Sequence, residues 1–280
     1  MKLAAGYVVF DGLETLRASL ASIRNQVNIT IVSYQRVSWG GTMAKPELLP
    51  TLNELQKEGL IDHIIEFTQF RPSNLKTPDS VIQAKSFELN KRQSCLDLAR
   101  SLGATHYLSM DADECYRDSE FAWAKAEIET HSLDATALHY INYVTPTLHR
   151  GHSRWKIPFI YRITPTCKHH TLQQIFSGVD PTRGMLDDSY RKSRVFERDI
   201  ISMHHMEMVR HDLEAKYHAS SRFFPNREKL NILANDVVEA QRTGSLKFTG
   251  PHLGDDDSKL SKALIECPNE FGIDFSLTRL

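Results

Sequence analysis

The sequence predicts an α/β fold, with a mostly parallel central sheet, flanking helices and a helical extension toward its C-terminal end. Two observations carry that prediction. Apolar runs of strand length alternate with helically spaced stretches through residues 1–118, in the order β-α-β-α-β-α-β, which implies right-handed crossovers and a sheet covered on both faces. The fourth strand ends in a cluster of carboxylates, at the edge where open α/β sheets bind their ligands. Composition agrees with a globular chain: of 280 residues, 41% are hydrophobic and 25% charged. A net charge of −1 speaks against binding nucleic acid through overall charge. Cys95, Cys115, Cys167 and Cys267 have neither zinc nor disulfide spacing, which points to a reducing, cytoplasmic setting. The first apolar run is too short for a signal peptide, and no run reaches bilayer-spanning length.

Residues 3–10 read as a buried strand. Asp11 is placed to cap the next helix, with Glu14 three residues on and a stripe of Leu13, Leu16, Leu20 and Ile23. Residues 29–34 form the second strand. After Trp39-Gly40-Gly41, Pro46 is a good first helical residue, with Leu48, Leu49, Leu52 and Leu55 behind it and Gly59 closing the helix. Residues 61–67 are the third strand. A long connection holding Pro72 and Pro78 leads to a helix starting near Asn90, with Cys95, Leu98, Ala99 and Leu102 on one face and Gly103 ending it. Lys91 and Arg92 then sit by a helix N-terminus, where backbone N–H groups favour anions; they suit a diphosphate, or are plain surface charge.

The fourth strand runs from Thr105 into Asp111, Ala112, Asp113 and Glu114. Paired carboxylates offer hard oxygen ligands to a divalent cation, and such an ion takes further ligands from water and phosphate. A helix follows over 119–131 and a strand over 135–144. From Pro146 to Arg198 helical spacing is absent, residues 157–163 look like a strand, and cations alternate with aromatics around Arg150, Arg154, Trp155, Lys156, Tyr161 and Arg162. That stretch reads either as a cradle for a polar or anionic acceptor or as the solvent face of a meander. His169 and His170 read as surface residues, and Asp187 and Asp188 as a loop that could supply a base. Residues 200–205 form another strand, on which His204 and His205 face opposite ways, so only one can reach a given ion. Arg210 and Lys216 follow and could neutralise phosphate. Helices are expected over 226–241 and 258–265, with Asp255–Asp257 as a solvated loop.

Two separated pieces agree with one family. A strand and acidic turn, Phe10-Asp11-Gly12-Leu13-Glu14, lead into a helix ending Ser22-Ile23-Arg24-Asn25-Gln26. Met110-Asp111-Ala112-Asp113-Glu114 supplies a strand-borne Asp-x-Asp, and His205-Met206-Glu207-Met208-Val209-Arg210 a late His-x-x-x-Val-Arg segment, with Lys216 downstream. On these motifs the chain resembles the family 2-like glycosyltransferases of the GT-A, Rossmann-like fold, over roughly residues 3–220. The resemblance implies a glycosyltransferase domain over 1–220, with a nucleotide-sugar half over 1–118 and an acceptor and metal half over 119–220; the helical extension covers 221–280. It implies transfer from a nucleoside-diphosphate sugar, foremost a UDP-sugar, with Mn²⁺ or Mg²⁺. Asp113 and His205 would hold the metal, Asp111 the metal through water or the ribose, and Glu114 would orient that shell. Phe10 and Asp11 would line the nucleotide, while Lys91, Arg92, Arg210 and Lys216 would face the diphosphate.

The usual Asn or Pro of the first turn is Asp11-Gly12 here, and the usual Arg-Asn before the metal strand is Arg92-Gln93. Neither a Glu-Asp nor a Gln-x-x-Arg-Trp motif is present, so the base and stereochemistry stay open, with Asp187 and Asp188 as candidates. The acceptor is open among glycan, lipid, small molecule and modified nucleic acid. Rival readings are a non-catalytic nucleotide- or sugar-binding domain, an Asp-x-Asp phosphatase or phosphotransferase, and a nucleotidyltransferase, although no Gly-rich, Arg-containing loop follows the first strand.

Overall fold

The computed structural model describes residues 1–69, 77–170, 175–180, 182–213, 215–216, 230–243 and 264–275. The first half alternates as the pattern predicts: β1 (Leu3–Val9), α1 (Leu13–Ile23), β2 (Ile29–Tyr34), α2 (Leu48–Lys57), β3 (His63–Glu66), α3 (Pro78–Ser101) and β4 (His106–Asp111). β3, β2, β1 and β4 lie side by side in parallel. This is the Rossmann-like half of the GT-A type α/β fold. After β5 (Glu114–Cys115) and α4 (Asp118–His131), the long hairpin of β6 (Ala135–Thr145) and β7 (Leu148–Arg162) joins the same sheet, with β7 antiparallel to β4. β11 (Ser202–His205) runs parallel to β6 and carries β5 on its other side, so beyond β4 the sheet is mixed. β8 (Lys168–His169) and β9 (Met185–Leu186) form a separate small hairpin, and β10 (Ser193–Val195) flanks β6.

Each face of the sheet is covered. Leu16 and Leu20 of α1, Leu52 of α2 and Phe121 of α4 pack with Tyr7 and Leu108 on one side. Cys95, Leu96 and Ala99 of α3 pack with Ala4, Ile31 and Tyr107 on the other. The helix stripes seen in the sequence are therefore the buried faces.

Some local expectations change. α1 is capped by Gly12 in the left-handed region at φ 82, and no side chain caps it, so Asp11 does not serve as its cap. α2 begins at Leu48 rather than Pro46. α3 begins at Pro78, a dozen residues earlier than expected. Thr77 and Ser80 form a reciprocal capping box, the Ser80 N–H donating to Thr77 Oγ1 at 3.3 Å and the Thr77 N–H to Ser80 Oγ at 3.2 Å. Lys91 and Arg92 therefore lie in the middle of a 24-residue helix and not at its N-terminus. Toward the end of the chain, α5 (Leu230–Thr243) bears out the helix expected over 226–241 from residue 230 on; 226–229 lie outside the described residues. Of the second expected helix, 258–263 lies outside the described residues, as does the Asp255–Asp257 loop. Ile265 instead belongs to β12 (Ile265–Glu266), antiparallel to β7. Among the described residues, no helix is long and apolar enough to cross a membrane.

Candidate functional site

The carboxylates sit where β4 ends and the chain doubles back. Val8 of β1 is in register with Asp111, so the β1–α1 turn and the acidic segment emerge side by side. From α1, the Thr15 hydroxyl donates to the Ala112 carbonyl at 3.0 Å and Ser19 donates to the Glu114 carbonyl, which fixes the turn. β5 then pairs with β11, placing Glu114 opposite His205, while the Met206 N–H donates to the Asp113 carbonyl at 2.7 Å. Two segments some ninety residues apart are thus locked together by backbone bonds.

Asp113 is only 4% exposed. Its Oδ2 accepts from Arg210 Nη2 at 2.5 Å and from Lys216 Nζ at 2.8 Å, while its Oδ1 lies 3.8 Å from His205 Nε2. Burial would raise this carboxyl, but Lys216, Arg210 and His205 hold it well below the usual carboxylate range. Burial pushes the His205 imidazole down, against the pull of Asp113 and Glu207. Its Nδ1–H donates to Asn142 Oδ1 at 3.1 Å, so the Nε2 lone pair is the one that faces Asp113. His204 points the other way, as strand alternation predicts. It is fully buried, bonded through Nδ1 to the Tyr143 hydroxyl at 2.8 Å and packed edge-on against Phe271.

Asp111 and Glu114 have different partners. Asp111 Oδ1 accepts from Arg92 Nη2 at 2.9 Å, and its Oδ2 from Arg183. Glu114 is fully buried, ion-paired to Arg183 through Oε1, and accepts the Asp111 N–H at 3.0 Å through Oε2. Burial, with Asp111 and Asp113 adding to it against Arg183, pushes the Glu114 carboxyl up to about 8. Among the described residues, no group of three or more His, Cys, Asp and Glu side chains is set to hold a metal ion. The donor pair that does converge is Asp113 Oδ1 with His205 Nε2, a hard oxygen and an imidazole nitrogen.

A cleft is lined by Arg210 and Lys216, the two cations that bond Asp113. Phe10, Asp11 and Gly12 form one wall, and Arg210, Lys216 and Lys45 contribute cations. The sequence-predicted Phe10, Asp11, Arg210 and Lys216 are thereby brought together. Glu14, instead of capping α1, lies 3.8 Å from Arg210 Nη1 and accepts the His211 N–H at 3.3 Å.

Lys91 is buried under the sheet edge, donating to the Val9 carbonyl at 2.8 Å and to Gln35 Oε1 at 3.0 Å; burial pushes its amine down to about 7. Arg92 is also buried and bonds Ser109 and Glu88, each at 3.0 Å, besides Asp111. Neither is a surface charge. Asp187 accepts from the Thr164 and Thr166 hydroxyls, both at 2.5 Å, and from the Ser189 N–H at 2.8 Å. None of these partners belongs to the acidic cluster, and Asp188 is exposed beside it. His169 is buried rather than at the surface: its N–H donates to Gln93 of α3 at 3.0 Å and its ring packs on Tyr107. On β7, Arg154 and Trp155 are exposed and in cation–π contact at 5.7 Å.

Arg183 and Asn142 are site residues that sequence reasoning did not single out. Arg183 stands in Asp180-Pro181-Thr182-Arg183-Gly184, and the only available signal was a lone cation in a turn-rich stretch. Asn142 is a lone amide inside an aromatic and apolar strand, a position that asks for a partner.

No family model matches the chain, and no curated protein matches it. Among solved structures, the chain is similar to S. aureus TarS 1-349, at 10% identity and TM-score 0.42 over 87% of this chain and 74% of that one. The TarS 1-349 complex with UDP-GlcNAc matches at 13% identity and TM-score 0.36, covering 51% of this chain and 35% of that one. CMP:2-keto-3-deoxy-manno-octonic acid synthetase complexed with CTP matches at 10% identity and TM-score 0.31, over 58% of this chain and 72% of that one. Against the UDP complex of TarS 1-349, this chain spans about a third of that chain's length.

Proposed function

We propose that this chain is a glycosyltransferase that uses a nucleoside-diphosphate sugar, foremost a UDP-sugar, with its donor diphosphate in the cleft walled by Phe10–Gly12, Arg210 and Lys216. The observation that carries the reading is that Arg210, which is buried, and Lys216, which is half-buried, both line that cleft and both bond Asp113, which faces His205. Asp113 Oδ1 and the Nε2 lone pair of His205 would hold Mn²⁺ or Mg²⁺, leaving other positions to water and phosphate oxygens. The ion would supply positive charge for the leaving diphosphate. Arg210 and Lys216, which line the cleft, would supply the protein's own share of that charge. Phe10 and Asp11 would flank the nucleoside, and Asp111, fixed by Arg92 and Arg183, would face the ribose. Asp187 is held in a turn by three hydrogen bonds to residues outside the acidic cluster, and neither it nor Asp188 lines the cleft, so neither is assigned as the base.

A thermal-shift panel of UDP, GDP, CDP, ADP and TDP, each with and without Mn²⁺, tests the reading. A ligand that binds the native state raises the melting temperature by mass action. We expect one nucleoside diphosphate, UDP first, to shift the protein when metal is present. No shift with any of the five overturns the donor site, and phosphate release from phosphomonoesters is then the assay to run.

A further inference from the structure

We propose that the bulge at Ser153–Trp155 of β7 is a platform for an acidic saccharide, and that it serves as the acceptor subsite of the transfer reaction. The acceptor role rests on the donor-site reading above; the saccharide binding does not. His139 of β6 pairs with Lys156, and Ile141 pairs with His152. Tyr140 alone therefore faces Ser153, Arg154 and Trp155, a bulge that the Trp155 N–H closes by donating to Ser153 Oγ at 3.1 Å. Bulges re-aim side chains. Here Arg154 and Trp155 both stand exposed, with the guanidinium 5.7 Å from the indole centroid. A tryptophan left 51% exposed offers a rigid apolar surface for the C–H face of a pyranose ring, while neighbouring cations meet the sugar's oxygens.

Two contacts tie the bulge to the acidic cluster. The Tyr140 ring lies edge-on to the His205 ring, with centroids 5.7 Å apart. The Lys156 N–H donates to the Gly178 carbonyl at 3.0 Å, and Gly178, at φ 66, backs the indole: a Cβ there would meet Cε3 and Cζ3 at 3.7 and 3.8 Å. Asp180 and Arg183 follow on the same loop, and Arg183 holds both Asp111 and Glu114. Charge selects the kind of saccharide. β7 carries Arg150, Arg154, Lys156 and Arg162 and no acid, and Arg162 is paired with Asp134. Of the acids near the bulge among the described residues, Glu120 pairs with Arg117 and Asp180 with Arg183, while Glu197 and Asp199 flank the exposed Arg198. Arg150, Arg154 and Lys156 therefore favour a sugar bearing a carboxylate, phosphate or sulfate. A net charge of −1 favours a short acidic saccharide over nucleic acid, which asks for a longer basic track.

A glycan array without nucleotide tests this, printed with matched neutral, uronate-, sialate-, phosphate- and sulfate-bearing oligosaccharides and an oligodeoxythymidine. The wild type should bind at least one acidic series, and its neutral counterpart at least tenfold more weakly. Trp155→Ala should weaken that binding at least tenfold, whereas Trp155→Phe should keep most of it. Arg154→Gln should lose the preference for acidic over neutral sugars, and it decides the matter if the melting curve of Trp155→Ala shows misfolding. Blank acidic series, equal binding of the neutral counterparts, or binding that survives Trp155→Ala overturns the proposal. So does an equal signal on oligodeoxythymidine, which would make the bulge a general polyanion patch. The thermal shift with UDP and Mn²⁺ reports the donor site separately: its absence in the wild type removes the acceptor role and leaves the saccharide platform standing.

Discussion

A Cβ at Gly12 would stand 2.0 Å from Nη1 of Arg210, and Gly12 itself has φ 82. The first turn and the late basic segment therefore fit only because one side chain is missing. Gly12→Ala forces the left-handed backbone, at a cost of about 1–2 kcal/mol, and displaces the guanidinium from Asp113. The expected outcome is a melting temperature several degrees lower and loss of the stabilisation by UDP with Mn²⁺. A variant that melts and responds like the wild type would show that Arg210 has room to spare.

Asn142 decides which nitrogen of His205 carries the lone pair. Asn142→Leu removes the acceptor and frees the ring to turn. Loss of such an orienting partner weakens metal binding by about 10–100-fold. Dialysis of Mn²⁺ with saturating pyrophosphate reads this directly, and unchanged affinity would take His205 out of the metal shell.

The sequence alone recommends Asp113→Ala as a test that spares the fold. Its burial changes that expectation, because Arg210 would keep a buried charge with one strong partner gone. Breaking a buried pair from one side costs about 3–5 kcal/mol. Urea unfolding should show a loss of that order for Asp113→Ala. Activity in this variant is interpretable only at temperatures where it remains folded.

Lys91 links stability to pH. Its amine is held at about 7 in the fold against 10.5 in the unfolded chain. The unfolded state thus binds the extra proton between those values, so this residue's contribution to stability is fullest above pH 10.5 and is lost as pH falls toward 7. Lys91→Met removes this term. Between pH 7 and 9 the stability of the wild type should rise relative to that of the variant, and parallel curves would refute the buried charge state.

The alternating half of the fold was legible because its signals are local. β2 has the bounds its apolar run predicts, and the stripes of α1 and α2 are the faces they bury. The start of α3 was missed because its capping box closes with Ser80 instead of Glu or Gln, and because polar residues dominate its first turns. Asp113, His205, Arg210 and Lys216 were legible as chemistry, and the structure brings them together. Their arrangement was not legible: the Arg183 contact with β4 and the Asn142 contact with His205 each span more than sixty residues, and no periodicity encodes them. His169 was misread for the same reason, since only tertiary packing with α3 and Tyr107 buries it.

The placement of β7 has a consequence for how the chain is made. His106, Tyr107 and Leu108 of β4 find their outer partners only in Arg162, Tyr161 and Ile160. At a synthesis rate of about 5–20 residues per second, the four-stranded N-terminal half emerges several seconds before that partner does. During this interval β4 presents a bare hydrogen-bonding edge of the kind that seeds misassociation. A released fragment ending at residue 118 should associate or bind chaperone through that edge, and one extended past Arg162 should bury it.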